Sequence, residues 1–246
     1  MPQLVPVAKC SLMRLKGAIL SESVCSEGSH LQQRKAGIRG YLTLFHLPTT
    51  TGLLSLVVIS STTSPVMDLN RLAFFLLESF LLIGVAANYL DEIRGRPWNT
   101  TIQICVLWVV GIGALIASSL IGLYLALEIG LWFLPLIVAW AFLTASYSLE
   151  LFNGKLHNAL TLGSLMFLAS LGAATINGVK PTWVSIEVAF LSAFIAGYGR
   201  QQYEVGKPAG RDNKSLPSSQ RIWWWLMLEI VFIDAVAVLS LAARIW

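Results

Sequence analysis

The sequence predicts an all-α protein, a polytopic bundle of about seven transmembrane helices, and three observations lead to this fold class. Charged residues make up 12% of the 246 residues and hydrophobic residues 56%, whereas soluble domains carry about 25% charged residues. The mean hydropathy is +0.70, and apolar stretches of span length recur between short polar breaks. Lys and Arg are concentrated in alternate breaks. These features exclude a soluble enzyme, a disordered protein and a nucleic-acid-binding protein.

Each predicted span is an apolar stretch of about 20 residues, the length with which a helix crosses a bilayer while satisfying its own backbone. The predicted spans are residues 41–63, 69–90, 101–124, 127–150, 158–177, 182–200 and 221–245. Pro, Asn, Gly and charged residues fill the breaks, as is typical of turns. The break between the third and fourth spans is the weakest, and we place it at Tyr124–Glu128.

Residues 1–36 differ from the rest of the chain because basic residues are mixed there with Ser, Glu and Gln. No apolar segment of signal-peptide length follows the early positive charges, so we expect no cleaved signal. We interpret this segment as a basic cytoplasmic tail, interfacial or disordered, ahead of a transmembrane domain over residues 37–246. The cysteines Cys10, Cys25 and Cys105 form no CxxC pair and are interpreted as buried or idle thiols.

The distribution of Lys and Arg orients the predicted spans. With seven spans, the amino-terminal tail and the loops after the second, fourth and sixth spans lie on one side. That side holds all of the 17 Lys and Arg residues except Arg71, Lys180 and Arg244. Because cytoplasmic loops are enriched in Lys and Arg, we expect a multi-pass protein of the cell membrane with a cytoplasmic amino terminus.

The end of the second span carries polar residues typical of a metal or anion site. Helical spacing places Asn88, Asp91 and Glu92 at i, i+3 and i+4 on one face. Amide and carboxylate oxygens are the hard donors that Mg²⁺ prefers. Arg94 and Arg96 follow, and their guanidinium groups suit fork contacts with phosphate oxygens. A solvated helix end with paired charges is the alternative interpretation.

Two further polar segments follow the fourth and sixth spans. Tyr147 and Glu150 share a helix face and Lys155 follows the turn, although a capped helix with an interfacial tyrosine has the same pattern. His157 has no second His or Cys nearby at metal-ligand spacing, so we interpret it as a surface residue and predict no transition-metal site. The segment from Arg200 onward is basic, which suits either anion attraction or inside-positive topology.

Ionisable residues also occur within the predicted spans, namely Glu78, Glu229 and Asp234. Such groups are costly in lipid and usually face a cavity or a partner. Glu78 precedes Asn88 by about 15 Å of helix rise, so we assign it to a different site.

The order of these motifs resembles the UbiA superfamily of intramembrane prenyltransferases, as a short and divergent member. The segment from Asn88 to Pro97 is similar, in position and in its leading Asn and Asp, to the family's N-D-x-x-D-x-x-x-D motif. The stretch Tyr41–Thr49 resembles the first helix of the family. Tyr147–Glu150 with Lys155 resembles its Tyr-led motif after the fourth helix, so the resemblance covers residues 37–246.

The resemblance implies a helical bundle around a central cavity open to the cytoplasmic face. It further implies that Mg²⁺ holds the diphosphate of an isoprenyl donor, whose ionisation gives an allylic cation that alkylates an aromatic or lipid-like acceptor. The residues carried over are the metal-ligand candidates Asn88, Asp91 and Glu92, the diphosphate-binding candidates Arg94, Lys155 and Arg200, and the catalytic candidates Asp91 and Tyr147.

The chain departs from the family's pattern in two motifs. Asn88 and Gly95 stand where the family has aspartates, and the loop after the sixth span offers Gln201, Gln202 and Glu204 in place of a second Asp-rich motif. We therefore expect at most one Mg²⁺. Two alternatives stay open: a UbiA-fold protein that binds a lipid or quinone without catalysis, and an unrelated seven-span transporter or sensor. We predict no nucleic-acid partner.

Overall fold

The computed structural model describes residues 38–45, 47–95, 100–205 and 231–244. Over these ranges the regular secondary structure is helical and contains no strand, which confirms the predicted all-α class. The predicted tail at residues 1–36 lies outside the described ranges. So do Arg96, Glu229 and most of the basic segment after the sixth predicted span.

The helices follow one another in chain order with short connections. They are α1 (Ile38–Phe45), α2 (Leu47–Ser61), α3 (Leu69–Ser79), α4 (Asn88–Gly95), α5 (Ile104–Ile129), α6 (Leu134–Ser148), α7 (Ala159–Thr175), α8 (Trp183–Val205) and α9 (231–244). A π-helical segment, Phe80–Ala87, joins α3 to α4, so Leu69–Arg94 forms one continuous rod. A short 3-10 turn, Leu131–Phe133, precedes α6.

Three helical stretches in the described part of the chain are long and apolar enough to cross a membrane. They are Leu69–Arg94, Ile104–Ile129 and Leu131–Ser148, which correspond to the predicted second, third and fourth spans. Thr50–Ser61 and Ala159–Thr175 are apolar but shorter. The fold is therefore that of a helical membrane protein, and the count of seven spans stays a prediction.

The structure corrects the boundary between the third and fourth predicted spans. Tyr124–Glu128 lies inside α5, and the chain turns at Gly130, whose φ of 130° is disfavoured for residues with a side chain. Pro135 then occupies the first turn of α6, where a missing N–H costs nothing. The predicted break was wrong because Tyr124 and Glu128 are polar but exposed, and an exposed helix surface accommodates them.

The interior of the bundle is packed around aromatic rings of α3 and α6. Phe75 and Trp140 are fully buried and stacked, with ring centroids 5.5 Å apart. A Cβ atom on Gly172 of α7 would lie 2.8 Å from Phe75 Cζ, so α7 approaches this ring through a residue without a side chain. Within lipid such close van der Waals packing holds helices together, because apolar burial alone gives no preference for another helix.

A close helix crossing joins α7 and α8 through small residues. A Cβ on Gly163 would lie 2.9 Å from the carbonyl oxygen of Ala193, and one on Gly197 would lie 3.1 Å from that of Ala159. Residues four apart share a helix face, so each helix presents a small-xxx-small pattern to the other. This crossing brings the carboxyl end of α8 beside the segment that leads into α7.

Two of the ionisable residues predicted within spans have structural surroundings that differ. Asp234 of α9 accepts a hydrogen bond from Ser55 Oγ at 2.7 Å, which links α9 to α2. Glu78 of α3 is 1% exposed, and its Oε1 lies where a Cβ on Gly122 would come within 2.5 Å. The two acids therefore lie in separate places, and neither contacts the helix ends described below.

Candidate functional site

The ends of α4, α6 and α8 bring four polar side chains into one cluster. Asp91 lies in α4, Tyr147 in the last turn of α6, and Arg200 near the carboxyl end of α8. His157, in the segment between α6 and α7, lies at the centre and is within 4 Å of an atom of each of the other three. We call these four residues the His157 cluster.

The contacts of His157 define its tautomer. Arg200 Nη2 lies 2.7 Å from Nε2 of the imidazole, and Nδ1 lies 3.0 Å from the carbonyl oxygen of Tyr147. A guanidinium group only donates hydrogen bonds, so Nε2 must accept. A carbonyl oxygen only accepts, so Nδ1 must carry the proton. Both contacts assign the same neutral imidazole, which bridges the end of α6 to the end of α8.

The ring of Tyr147 completes the setting of Arg200. It is buried and stacks on the His157 ring, with centroids 4.4 Å apart and planes inclined by 25°. Arg200 Cζ lies 5.8 Å from the centre of the Tyr147 ring, within the range of a cation–π contact. The guanidinium therefore contacts the edge of one ring and the face of another.

Asp91 supplies the carboxylate of the cluster. Its Oδ1 lies 3.8 Å from His157 Nδ1, too far for a hydrogen bond, and its side chain is 20% exposed. Four groups are close enough to act on the Asp91 carboxylate electrostatically, namely His157, Arg200, Glu150 and Glu92. With a neutral His157, the positive charge nearest to this carboxylate in the cluster belongs to Arg200. The cluster thus contains the guanidinium of Arg200 and, close to it, the partly exposed carboxylate of Asp91.

The segment between α6 and α7 adopts an unusual backbone that returns His157 to Tyr147. Glu150, Phe152 and Asn153 have φ values of 49°, 56° and 60°, in the left-handed region, and Gly154 follows at 75°. Non-glycine residues in this region cost about 1 kcal/mol or more each and persist where surrounding contacts fix them. The amide of His157 donates to the Gly154 carbonyl at 3.0 Å, which closes the turn.

The other two predicted metal ligands, Asn88 and Glu92, form hydrogen bonds with nearby residues of the chain. Asn88 Nδ2 donates to the carbonyl of Gly84, one turn earlier, at 3.0 Å. Glu92 is fully buried, and its Oε1 accepts from the backbone N and the Oγ1 of Thr100 at 2.8 and 2.7 Å. The Glu92 carboxylate therefore holds the chain where it leaves α4 for α5. Of the three predicted ligands, the structure places only Asp91 in the His157 cluster.

The remaining predicted diphosphate-binding residues lie at the edge of this cluster. Arg94 is exposed, and its Nε donates to the Leu149 carbonyl at 3.0 Å, which joins α4 to the end of α6. Lys155 is exposed, and its ammonium group has no ion pair with any residue in the described ranges. The structure thus brings Asp91, Tyr147 and Arg200 together, with Arg94 beside them.

The residue that sequence reasoning missed is His157. It was interpreted as a surface residue because a lone histidine has no ligand partner at metal spacing. Its hydrogen-bond partners come from the ends of α6 and α8, and no sequence-spacing rule predicts such contacts. A weaker signal was present: His157 follows the Asn153-Gly154 turn and precedes Asn158, whose side chain caps α7 by accepting from Thr161 N at 2.9 Å. That cap fixes the distance between His157 and α7.

The donors near Asp91 can be compared with what Mg²⁺ requires. Among the described residues, no group of three or more His, Cys, Asp and Glu side chains forms a metal cage. Mg²⁺ usually keeps several waters and binds through one or two carboxylates together with substrate phosphates. The partly exposed Asp91 carboxylate fits that mode, whereas the Glu92 carboxylate does not, because Thr100 occupies it in a buried site.

Fold and site together define a helical membrane protein with a carboxylate, a guanidinium and a bridging imidazole at adjoining helix ends. No protein-family model matches the chain, and no characterised protein and no solved structure matches it significantly.

Proposed function

We propose that this chain is an integral membrane prenyltransferase of the UbiA type, which transfers an isoprenyl group from an isoprenyl diphosphate to an aromatic or lipid-like acceptor. The observation that supports the proposal most is the meeting of Asp91, Tyr147 and Arg200 around His157. These three residues come from three segments that the motif resemblance assigns to one site. Seven spans, a central cavity open to the cytoplasm and a cytoplasmic amino terminus in the cell membrane belong to the same proposal.

The cations of the site are suited to a diphosphate. A leaving diphosphate requires positive charge where its negative charge develops. Arg200 offers a guanidinium held by His157 and Tyr147, and such a fork matches phosphate oxygens. Arg94 and Lys155, both exposed beside the cluster, add charge that attracts the anion before it binds.

Asp91 is the residue that would hold Mg²⁺, together with phosphate oxygens of the donor and water. Asn88, one turn earlier, is the adjoining amide in the proposed set, and we leave Glu92 out because Thr100 holds it. When bound, Mg²⁺ supplies additional positive charge that neutralises the leaving diphosphate. The chain's own contribution is one carboxylate that would hold the metal ion and one guanidinium that would bind the diphosphate oxygens directly.

The reaction breaks the C1–O bond of the isoprenyl donor, and the diphosphate leaves with the bonding electron pair. An acceptor atom then forms a bond to C1 and gives up a proton. The apolar helices shield the allylic cation from water. Tyr147, buried at the end of α6, borders the region in which this cation develops.

The test uses the full chain in lipid nanodiscs with labelled isoprenyl diphosphates of several lengths. We expect donor consumption that requires Mg²⁺ and stops with EDTA. Asp91→Asn is expected to reduce it by about 100-fold, the loss typical of removing one charge-stabilising group. Glu128→Gln is the matched control, because it neutralises an exposed carboxylate at the far end of α5. Absence of both consumption and saturable donor binding would contradict the proposal.

A second candidate function is the binding of a lipid or quinone without catalysis. The observation that favours it is the commitment of Glu92 to Thr100, which leaves fewer metal donors beside Asp91 than the family's motif provides. Saturable donor binding that is insensitive to EDTA and gives no turnover would select this function. An unrelated transporter would show neither binding nor turnover of isoprenyl diphosphates.

A further inference from the structure

We propose that His157 is a positioning residue, whose imidazole holds the Arg200 guanidinium in the orientation that binds a diphosphate. The inference rests on the proposed function, because it assigns a task to a residue of the same site. It goes beyond the motif resemblance, in which His157 carries no role.

The hydrogen bond between Arg200 and His157 has a defined direction. Nε2 of His157 accepts from Arg200 Nη2 at 2.7 Å, so the imidazole acts on Arg200 as a fixed acceptor. Arginine has a long and flexible side chain, and each fixed contact removes rotamers that bind no ligand.

The side chain of His157 is itself held by two contacts with Tyr147. Its Nδ1–H donates to the Tyr147 carbonyl at 3.0 Å, and its ring stacks on the Tyr147 ring at 4.4 Å. The side chain of His157 is only 18% exposed. An acceptor that is bound on its other nitrogen, stacked and mostly buried provides a more precise support than a flexible surface residue.

The backbones of α7 and α8 bring His157 and Arg200 together. His157 lies two residues before Ala159 of α7, and Arg200 lies three residues after Gly197 of α8. A Cβ on Gly197 would lie 3.1 Å from the Ala159 carbonyl oxygen, so the two helices are in backbone contact at this level. The close crossing of α7 and α8 therefore places His157 and Arg200 within reach of each other.

Two amide substitutions separate the two contacts of His157. His157→Gln carries an amide oxygen at about the position of Nε2, so it still accepts from Arg200. His157→Asn is shorter and retains a donor for the Tyr147 carbonyl, but it cannot reach Arg200. Both variants lose the aromatic ring, and each retains one of the two contacts, so that the loss specific to the Arg200 contact appears in His157→Asn alone. Their unfolding temperatures and elution profiles report any general loss of structure.

The experiment is a double-mutant cycle on diphosphate affinity, measured by calorimetry with inorganic diphosphate and Mg²⁺ on the full chain in nanodiscs. We expect Arg200→Gln and His157→Asn each to weaken binding by about tenfold, the effect of losing a charge-assisted hydrogen bond. We expect His157→Gln to stay within about threefold of the natural chain. The double variant His157→Asn with Arg200→Gln should be no weaker than Arg200→Gln alone, because His157 acts through Arg200.

Several outcomes overturn the inference. These are unchanged affinity in His157→Asn, equal losses in His157→Asn and His157→Gln, or a double variant whose loss is the product of the two single losses. Isoprenyl diphosphate turnover is measured on the same samples. Non-additive diphosphate binding without any turnover would support the positioning role and contradict the prenyltransferase. Turnover with an additive cycle would support the prenyltransferase and overturn the positioning role.

Discussion

Arg244 and Arg200 are both arginines near the carboxyl ends of helices, yet they contact different kinds of partner. Arg244 of α9 donates hydrogen bonds of 3.1 and 2.6 Å to the Thr62 carbonyl and of 2.9 Å to the Ser64 carbonyl. These carbonyls lie in the connection that follows α2. Arg200 instead donates to a side chain, His157, beside a partly exposed carboxylate.

The two helix ends therefore use charge differently. In the same connection between α2 and α3, Asp68 caps α3 and forms an ion pair with Arg71 at 3.6 Å, which stabilises the first turn of that helix. At the His157 cluster the charged groups are supported by side chains and a strained turn. Arg244 thus binds backbone carbonyls between two helices, whereas Arg200 binds an imidazole beside a partly exposed carboxylate.

Substitution of each arginine by glutamine tests this difference most directly, and it has the largest expected effect on turnover. Arg200→Gln is expected to lower isoprenyl diphosphate turnover by about 100-fold, because it removes a cation from the leaving-group site. Arg244→Gln should leave turnover within about twofold and lower stability instead, because the carbonyls of Thr62 and Ser64 lose a charged hydrogen-bond donor. Turnover and thermal unfolding in nanodiscs measure both. Equal turnover losses in the two variants would contradict the distinction.

A second prediction concerns the neighbouring acids Asp91 and Glu92. Glu92→Gln is expected to cost about 1–3 kcal/mol of unfolding free energy, because the buried acceptor of Thr100 loses its charge. Asp91→Asn should lower Mg²⁺-dependent turnover by about 100-fold with little change in stability. Chemical unfolding and an Mg²⁺ titration of turnover separate the two effects. Loss of Mg²⁺ dependence in Glu92→Gln would instead indicate that Glu92 is a metal ligand.

A third prediction concerns the helix crossing that supports the cluster. Gly163→Ala is expected to destabilise the protein by about 1–3 kcal/mol, because its Cβ would lie 2.9 Å from the Ala193 carbonyl oxygen. Gly113→Ala is the matched control, since its Cβ meets nothing within 4 Å, and alanine there should gain about 0.5–1 kcal/mol of helix stability. Thermal unfolding distinguishes them. Equal stability of the two variants would contradict the close crossing of α7 and α8.

The smallest expected effect is at the α2–α9 contact. Ser55→Ala removes the hydrogen bond to Asp234 and is expected to cost about 0.6 kcal/mol, the average for such bonds between membrane helices. Turnover should not change, because Ser55 has no contact with the His157 cluster. Unfolding curves of the natural chain and the variant measure the difference. A marked loss of turnover would place α9 in the site.

The sequence allowed the helical class and the longest apolar helices to be predicted, but not the contacts of His157. Hydropathy located Leu69–Arg94 and Ile104–Ile129, because a membrane span leaves a long continuous signal. It misplaced the turn at Gly130, because one glycine with a positive φ decides that boundary. Alternation of charged and apolar segments predicted that Asp91, Tyr147 and Arg200 would lie at the same end.

The roles of Glu92 and His157 could not be predicted from the sequence. Glu92 has the helical spacing of a metal ligand, yet the hydrogen bonds to Thr100 depend on how the chain turns after α4. His157 has no motif partner, and its contacts depend on the left-handed turn and on the α7–α8 crossing. Spacing along a helix predicts which residues share a face, whereas these contacts join residues from different elements.

The central claim is that the His157 cluster ionises an allylic diphosphate, and release of inorganic diphosphate tests it most directly. The full chain in nanodiscs is supplied with Mg²⁺, an acceptor mixture and either an allylic isoprenyl diphosphate or its saturated analogue. The account predicts release from the allylic compound and little from the saturated one, because only the allylic carbocation is stabilised by its double bond. It further predicts that Asp91→Asn and Arg200→Gln lose this release and that Glu128→Gln retains it. Equal release from both compounds, or release that survives in Asp91→Asn and Arg200→Gln, would contradict the claim.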